Sequence, residues 1–113
     1  NCIFDGNNNV EFVLDKVDGS LFNYSVNNSM IKFNDTNESF KDVAELDFTN
    51  AFYKNVILNG NSNFRDTQNN DFIIGKDSDA INKASSTPFS SDILGIDRTT
   101  APDIGAYQHI IFN

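Results

Sequence analysis

Asp5, Asp15, Asp18, Asp35 and Asp42 are residues whose type suits acid–base chemistry. Glycosidic hydrolysis uses two carboxyls held roughly 5–10 Å apart across a cleft, and no spacing in the sequence ties any two of these together. His109 is the single histidine. A nucleophile–histidine–acid arrangement would need it, yet it stands beside "IIF" with no serine or cysteine signature nearby, which reads as a structural or surface position. The acid-rich stretches "DKVDG" and "NDTNE" offer oxygens to calcium, which takes about six to eight. They lack EF-hand spacing. No cofactor is therefore expected, with calcium as the alternative. Cys2 is the only cysteine, so no internal disulfide can form. Beside Ile3 and Phe4 it reads as a buried strand thiol; a lipid-carrying cysteine would normally lead the mature chain, and here Asn1 precedes it. The Asn-x-Ser/Thr sequons at Asn23, Asn27, Asn34 and Asn37 read as asparagine-rich turns.

The bulk properties bound what these residues can serve. A chain of 113 residues is one domain or part of one, and it is long enough to bury a core. Its net charge of −8 and pI of about 4.3 argue against a nucleic-acid partner, which needs clustered Lys and Arg. No apolar run approaches the ~20 residues of a transmembrane helix. The opening residues read as the inside of a strand rather than as a signal peptide, so the chain is expected to be processed or the tail of a longer one.

The elements that must position any site are short. There are 11 Phe and no Trp, and asparagine recurs in pairs and triplets such as "NNN" at 7–9. Asparagine competes for helix hydrogen bonds and tolerates the left-handed turn conformation. Short apolar runs between such residues read as strands joined by tight turns. In "LFNYSV", Phe22, Tyr24 and Val26 fall on one face at period two. A helical turn over 39–46, capped by Asn37 or Ser39, is the one helical expectation.

One short phrase returns. "NCIFDGN" starts at Asn1, "NSMIKFN" at Asn28 and "NVILNGN" at Asn55, a constant interval of 27 residues. Each copy is apolar at its third and fourth places and closes on a second asparagine (Asn7, Asn34, Asn61). A period of this size in short strands and turns is a solenoid signature. The expectation is an all-β, right-handed parallel β-helix whose coils occupy 1–70, with a capping segment over 71–113. Ile3, Met30 and Ile57 would stack inward, with Cys2, Ser29 and Val56 opposite. Asn1, Asn28 and Asn55 would stack at a turn as an amide ladder.

The closing text is the most specific in the chain. Ser78, Ala80, Ile81 and Asn82 are followed by Asp92, Gly95 and Arg98, then by Pro102, Asp103, Ile104, Gly105, Ala106 and Tyr107. Together with the lead-in residues Phe64 and Asp66, this resembles the ending of secreted parallel β-helix proteins of Bacteroidota, of the choice-of-anchor and polysaccharide-lyase-like kind. The resemblance covers 53–108 closely and 1–34 at the level of coil grammar. Asp79 stands where proline is usual, Ser62 replaces the proline of the lead-in, and Gln108 stands where glutamate is common. The family's closing motif is a non-catalytic cap. Its lyases use Lys and Arg as base and acid, and Lys32 and Lys54 are only remote counterparts.

Capping also follows from physics. An open solenoid end exposes unpaired backbone groups and an apolar interior. Gly95 and Gly105 permit sharp turns, Pro102 cannot extend a ladder, and Arg98 is placed to hold loops through Asp92, Asp97 and Asp103. The functional expectation is a non-catalytic module for adhesion, glycan contact or assembly, extracellular or on a bacterial cell surface. The alternative is the tail of a polysaccharide lyase or glycoside hydrolase whose site lies upstream. Polysaccharide is a candidate ligand, and preceding coils or a partner protein are expected to cover Asn1–Phe4.

Overall fold

Asparagine turns this backbone. The computed structural model describes residues 1–112. Among them, seven non-glycine residues hold positive φ and six are asparagines: Asn28, Asn55, Asn59, Asn63, Asn70 and Asn82. These left-handed corners separate very short strands, as the composition predicted. In chain order the strands are β1 (Ile3–Phe4), β2 (Val26–Asn27), β3 (Met30–Ile31), β4 (Tyr53–Lys54), β5 (Ile57–Leu58), β6 (Phe64–Asp66) and β7 (Asp71–Ile74).

The interval of 27 reappears as pairing register. β1, β3 and β5 form a parallel sheet in which Ile3 faces Met30 and Met30 faces Ile57. β2 and β4 pair in parallel at the same interval, Val26 opposite Tyr53. β6 and β7 pair antiparallel around a 3₁₀ turn, Thr67–Asn69, and the left-handed Asn70.

This arrangement overturns the expected right-handed parallel β-helix with its coils and cap. The strands are two to four residues long, they lie in three separate small sheets, one of them antiparallel, and no solenoid turn is evident. The chain is a small β domain of mixed pairing. The cause lies in the extent of the repeat, which covers an asparagine corner and two apolar residues but little of the intervening chain. Residues 5–25 and 32–52 differ in sequence and conformation. Val10 in the first makes an antiparallel bridge to Phe33, whereas the second carries a 3₁₀ turn at Ala44–Leu46.

That 3₁₀ turn is all that forms of the helix expected over 39–46. The carboxylate of Asp35, rather than Asn37 or Ser39, accepts the N–H groups of Ser39 and Phe40, at 2.9 and 2.7 Å. Cys2 is exposed rather than buried, because alternation along β1 turns its side chain away from Ile3 and the core.

Met30 and Ile31 are 2% and 0% exposed, so both faces of the central strand are covered. On one side Met30 packs with Ile74, Ala80 and Ile104, flanked by Ile3, Ile57 and Phe64. Aromatic rings form a second cluster, in which Phe48 meets Phe33 at 5.0 Å and Tyr53 at 4.8 Å between centroids. Each fully buried large apolar side chain contributes about 1.5–3 kcal/mol.

Candidate binding cleft

The residues singled out in the closing segment do meet, through contacts of a different kind from those expected. Asp103 is fully buried. One of its oxygens accepts the Asn82 N–H at 2.9 Å, and the other accepts the His109 N–H and faces His109 Nδ1, both at 2.7 Å. Asp92 accepts the N–H groups of Leu94 and Ile96 with one oxygen and that of Gln108 with the other. Arg98 reaches neither carboxylate; its Nη2 donates to the carbonyl oxygens of Asp103 at 2.8 Å and Gly105 at 3.2 Å. Gly95 and Gly105 turn at φ 82 and 103, and the carbonyl of buried Pro102 accepts the Ala84 N–H. The bonds of Asp92, Asp103 and Arg98 are charge-assisted and hold loops together.

Asn1 and Asn28 direct their amides to a passing strap of chain instead of to each other. Asn28 Nδ2 donates to the Lys83 carbonyl, and Asn1 Nδ2 donates to that of Ser85. Asn55 holds the equivalent left-handed corner and is exposed. Gln108, which sequence reasoning passed over, is buried; its Oε1 accepts the Asp103 N–H and its Nε2 donates to the Ala101 carbonyl. Its only sequence signal was the departure from the more usual glutamate.

The acids considered for chemistry are scattered among other duties. Asp5 accepts from the Ser62 hydroxyl and the Gly6 N–H, Asp35 caps the turn described above, and Asp15, Asp18 and Asp42 are exposed. Lys32 donates to the Gly6 carbonyl, and Lys54 is exposed. Among the described residues no three His, Cys, Asp or Glu side chains converge on a metal position, and no helix is long and apolar enough to cross a membrane.

A recess with aromatic walls lies elsewhere. Residues 21–27 alternate exposed and half-buried, which places Phe22 and Tyr24 on one face beside β4. The Tyr24 ring lies 4.7 Å from Phe52 and 5.6 Å from Tyr53, and Phe22 lies 5.3 Å from Tyr24. Asn50 fixes this wall: its Nδ2 donates to Tyr24 Oη at 3.1 Å, while its Oδ1 accepts the Phe52 N–H at 2.8 Å. The Ala44–Leu46 turn forms the opposite wall. These walls enclose about 460 Å³, rimmed by Asn23, Asn50, Lys16, Glu45 and Asp47.

The rim is electrostatically set. Lys16 Nζ lies 2.8 Å from Glu45 Oε1. That bond holds the Glu45 carboxyl below its usual range and raises the Lys16 ammonium above its own. The Thr49 hydroxyl and N–H donate to Asp47 and lower its carboxyl likewise. Tyr53 donates its hydroxyl to the Glu45 carbonyl, and burial is the main cause pushing its phenol up to about 12. The cleft thus combines flat aromatic faces with fixed amides and ionised carboxylates, a donor–acceptor set suited to binding a polyhydroxylated ligand. Comparison of the chain with protein-family models, curated proteins and solved structures gives no match.

Proposed function

We propose that the chain is a non-catalytic binding module, part of a secreted or cell-surface protein, that holds a neutral saccharide in the Tyr24–Phe52 cleft. One observation carries the reading. Phe52 is 47% exposed, yet its position is fixed by Asn50 and by the Tyr24 ring. An aromatic face left open and immobilised is suited to the C–H face of a sugar ring, whose hydroxyls then meet the rim. Glu45 and Asp47 are both held ionised, whereas glycoside hydrolysis needs one carboxyl kept protonated. Those carboxylates and the net charge of −8 disfavour anionic polysaccharides.

Affinity electrophoresis through gels containing neutral or uronate polysaccharides tests the reading. The expected result is retardation by a neutral polymer, weakened about two- to tenfold in Phe52→Ala, in line with about 0.5–1.5 kcal/mol for an aromatic contact. Free migration in every neutral polymer, or retardation indifferent to Phe52→Ala, would overturn it.

A further inference from the structure

A second recess of about 540 Å³ opens beside β1, away from the aromatic cleft. Ile3, Phe64, Phe72, Ile74, Ile104 and Tyr107 supply its apolar surface, and Asp5 is the only charged side chain in its lining. β1 is also an edge strand. The carbonyls of Cys2 and Phe4 accept from Met30 and Lys32 of the inner neighbour. Alternation along the strand therefore turns the N–H and C=O of Ile3 outward, as it does the carbonyl of Asn1. That carbonyl is met by the Gly105 N–H at 3.2 Å, after which the closing segment leaves the edge. Pairing thus begins at Asn1 and stops short of Ile3.

We infer that the outer edge of β1 takes an extended peptide from a partner protein, with an apolar side chain in the recess and a lysine or arginine two positions away on Asp5. The backbone part is strand addition, in which main-chain bonds give affinity and alternate side chains give specificity. The spacing follows from Ile3 and Asp5, which lie two apart and line the same recess. Charge selects the occupant. Asp5 has no cationic partner among the described ion pairs, and no lysine or arginine lines the recess. A second copy would bring another Asp5 and another net charge of −8 to the same edge, so it is the poorer complement.

Fluorescence anisotropy with a labelled Thr-Thr-Val-Thr-Lys-Thr peptide tests this. Saturable binding is expected for a peptide running parallel to β1, about tenfold weaker when glutamate replaces the peptide's lysine. It is lost when the nitrogen of the threonine after the valine, which a parallel strand turns toward the Ile3 carbonyl, is methylated. Ala106→Arg, at an exposed residue on the rim, is expected to abolish binding with an unchanged circular dichroism spectrum. Asp5→Asn should erase the preference for lysine while leaving the neutral contribution. The inference is overturned if no peptide binds at millimolar concentration, if the methylated peptide binds equally, or if the lysine preference survives Asp5→Asn. Sedimentation showing a dimer that excludes the peptide would overturn it in favour of self-docking. Should Asp5→Asn fail to fold, the methylated peptide still decides.

Discussion

The side-chain amide of Asn28 donates to the carbonyl of Lys83, 55 residues along the chain, at 2.9 Å. Asn1 makes the corresponding bond to Ser85 at 3.1 Å, and its Oδ1 accepts the Ser85 N–H in return. Two copies of the repeated phrase are thereby tied to one passing segment of chain. A residue chosen for its left-handed backbone also supplies the tie.

These two roles can be separated. Asn28 sits at φ 49, so Asn28→Gly keeps the corner and loses only the amide bond, an expected cost of about 0.5–1.5 kcal/mol. Asn28→Ala adds the left-handed backbone penalty, about 1–2 kcal/mol more. Urea unfolding of both variants checks the order; equal stability of alanine and glycine would refute the division.

Arg98 is expected to stabilise through carbonyls, since Nη2 bonds those of Asp103 and Gly105. Arg98→Ala should cost about 1.5–3 kcal/mol, the range for hydrogen bonds to a charged group. Arg98→Lys should recover part of it, because one ammonium can still donate. Removing the charge on Asp92 while Arg98→Ala keeps its full effect would show that the two act separately, as the geometry implies; a double-mutant cycle measures this.

Tyr53 gives stability a dependence on alkaline pH. Its folded-state pKa, about 12, lies above the ordinary value of 10.0. The protonated phenol is therefore favoured by folding. Its contribution is complete below pH 10 and is lost as pH rises through about 12. Ultraviolet titration of the tyrosinate band should show one of the three tyrosines ionising late, and Tyr53→Phe should remove that late step. A titration in which no tyrosine ionises late would contradict the burial of the Tyr53 hydroxyl.

Gly60 lies where little room remains. A Cβ there would come within 2.6 Å of Met30 Sδ and 3.0 Å of Ile57 Cγ2. Gly60→Ala is expected to destabilise by about 1–3 kcal/mol through overpacking. Met30→Ala alone should cost about 2–5 kcal/mol. In the double variant the two should fall short of additivity, because the truncated Met30 vacates the contested space. Calorimetric melting of the three proteins reads the outcome.

Much of the local grammar was legible beforehand. The interval from Ile3 to Met30 to Ile57 predicted which residues face one another, and asparagine abundance predicted the corners. The architecture was not legible, because a two-residue pairing can keep a strict period without the rest of the repeat following it. The antiparallel return at Asn70 had a turn signal in "TQNN" that was read as part of a coil. Arg98 was expected to hold loops through carboxylates, whereas it bonds the carbonyls of Asp103 and Gly105; a guanidinium fits both, and spacing cannot choose between them. The cleft was half visible: alternation put Phe22 and Tyr24 on one face, whereas Phe52 and Asn50 join them only through the β2–β4 pairing.

The strap across Asn28 and Asn1 has a consequence in time. The bond between Asn1 and Ser85 spans 84 residues, and Gly105 returns to Asn1 as well. Contacts this distant must wait for a large loop to close, which slows folding relative to a domain built from neighbours. During synthesis the first sheet can pair as soon as β5 has left the ribosome, but its corners stay untied and Ile104 is still missing from its core. The chain therefore passes through an interval with its apolar edge uncovered, which lasts until the segment carrying Ile104 arrives.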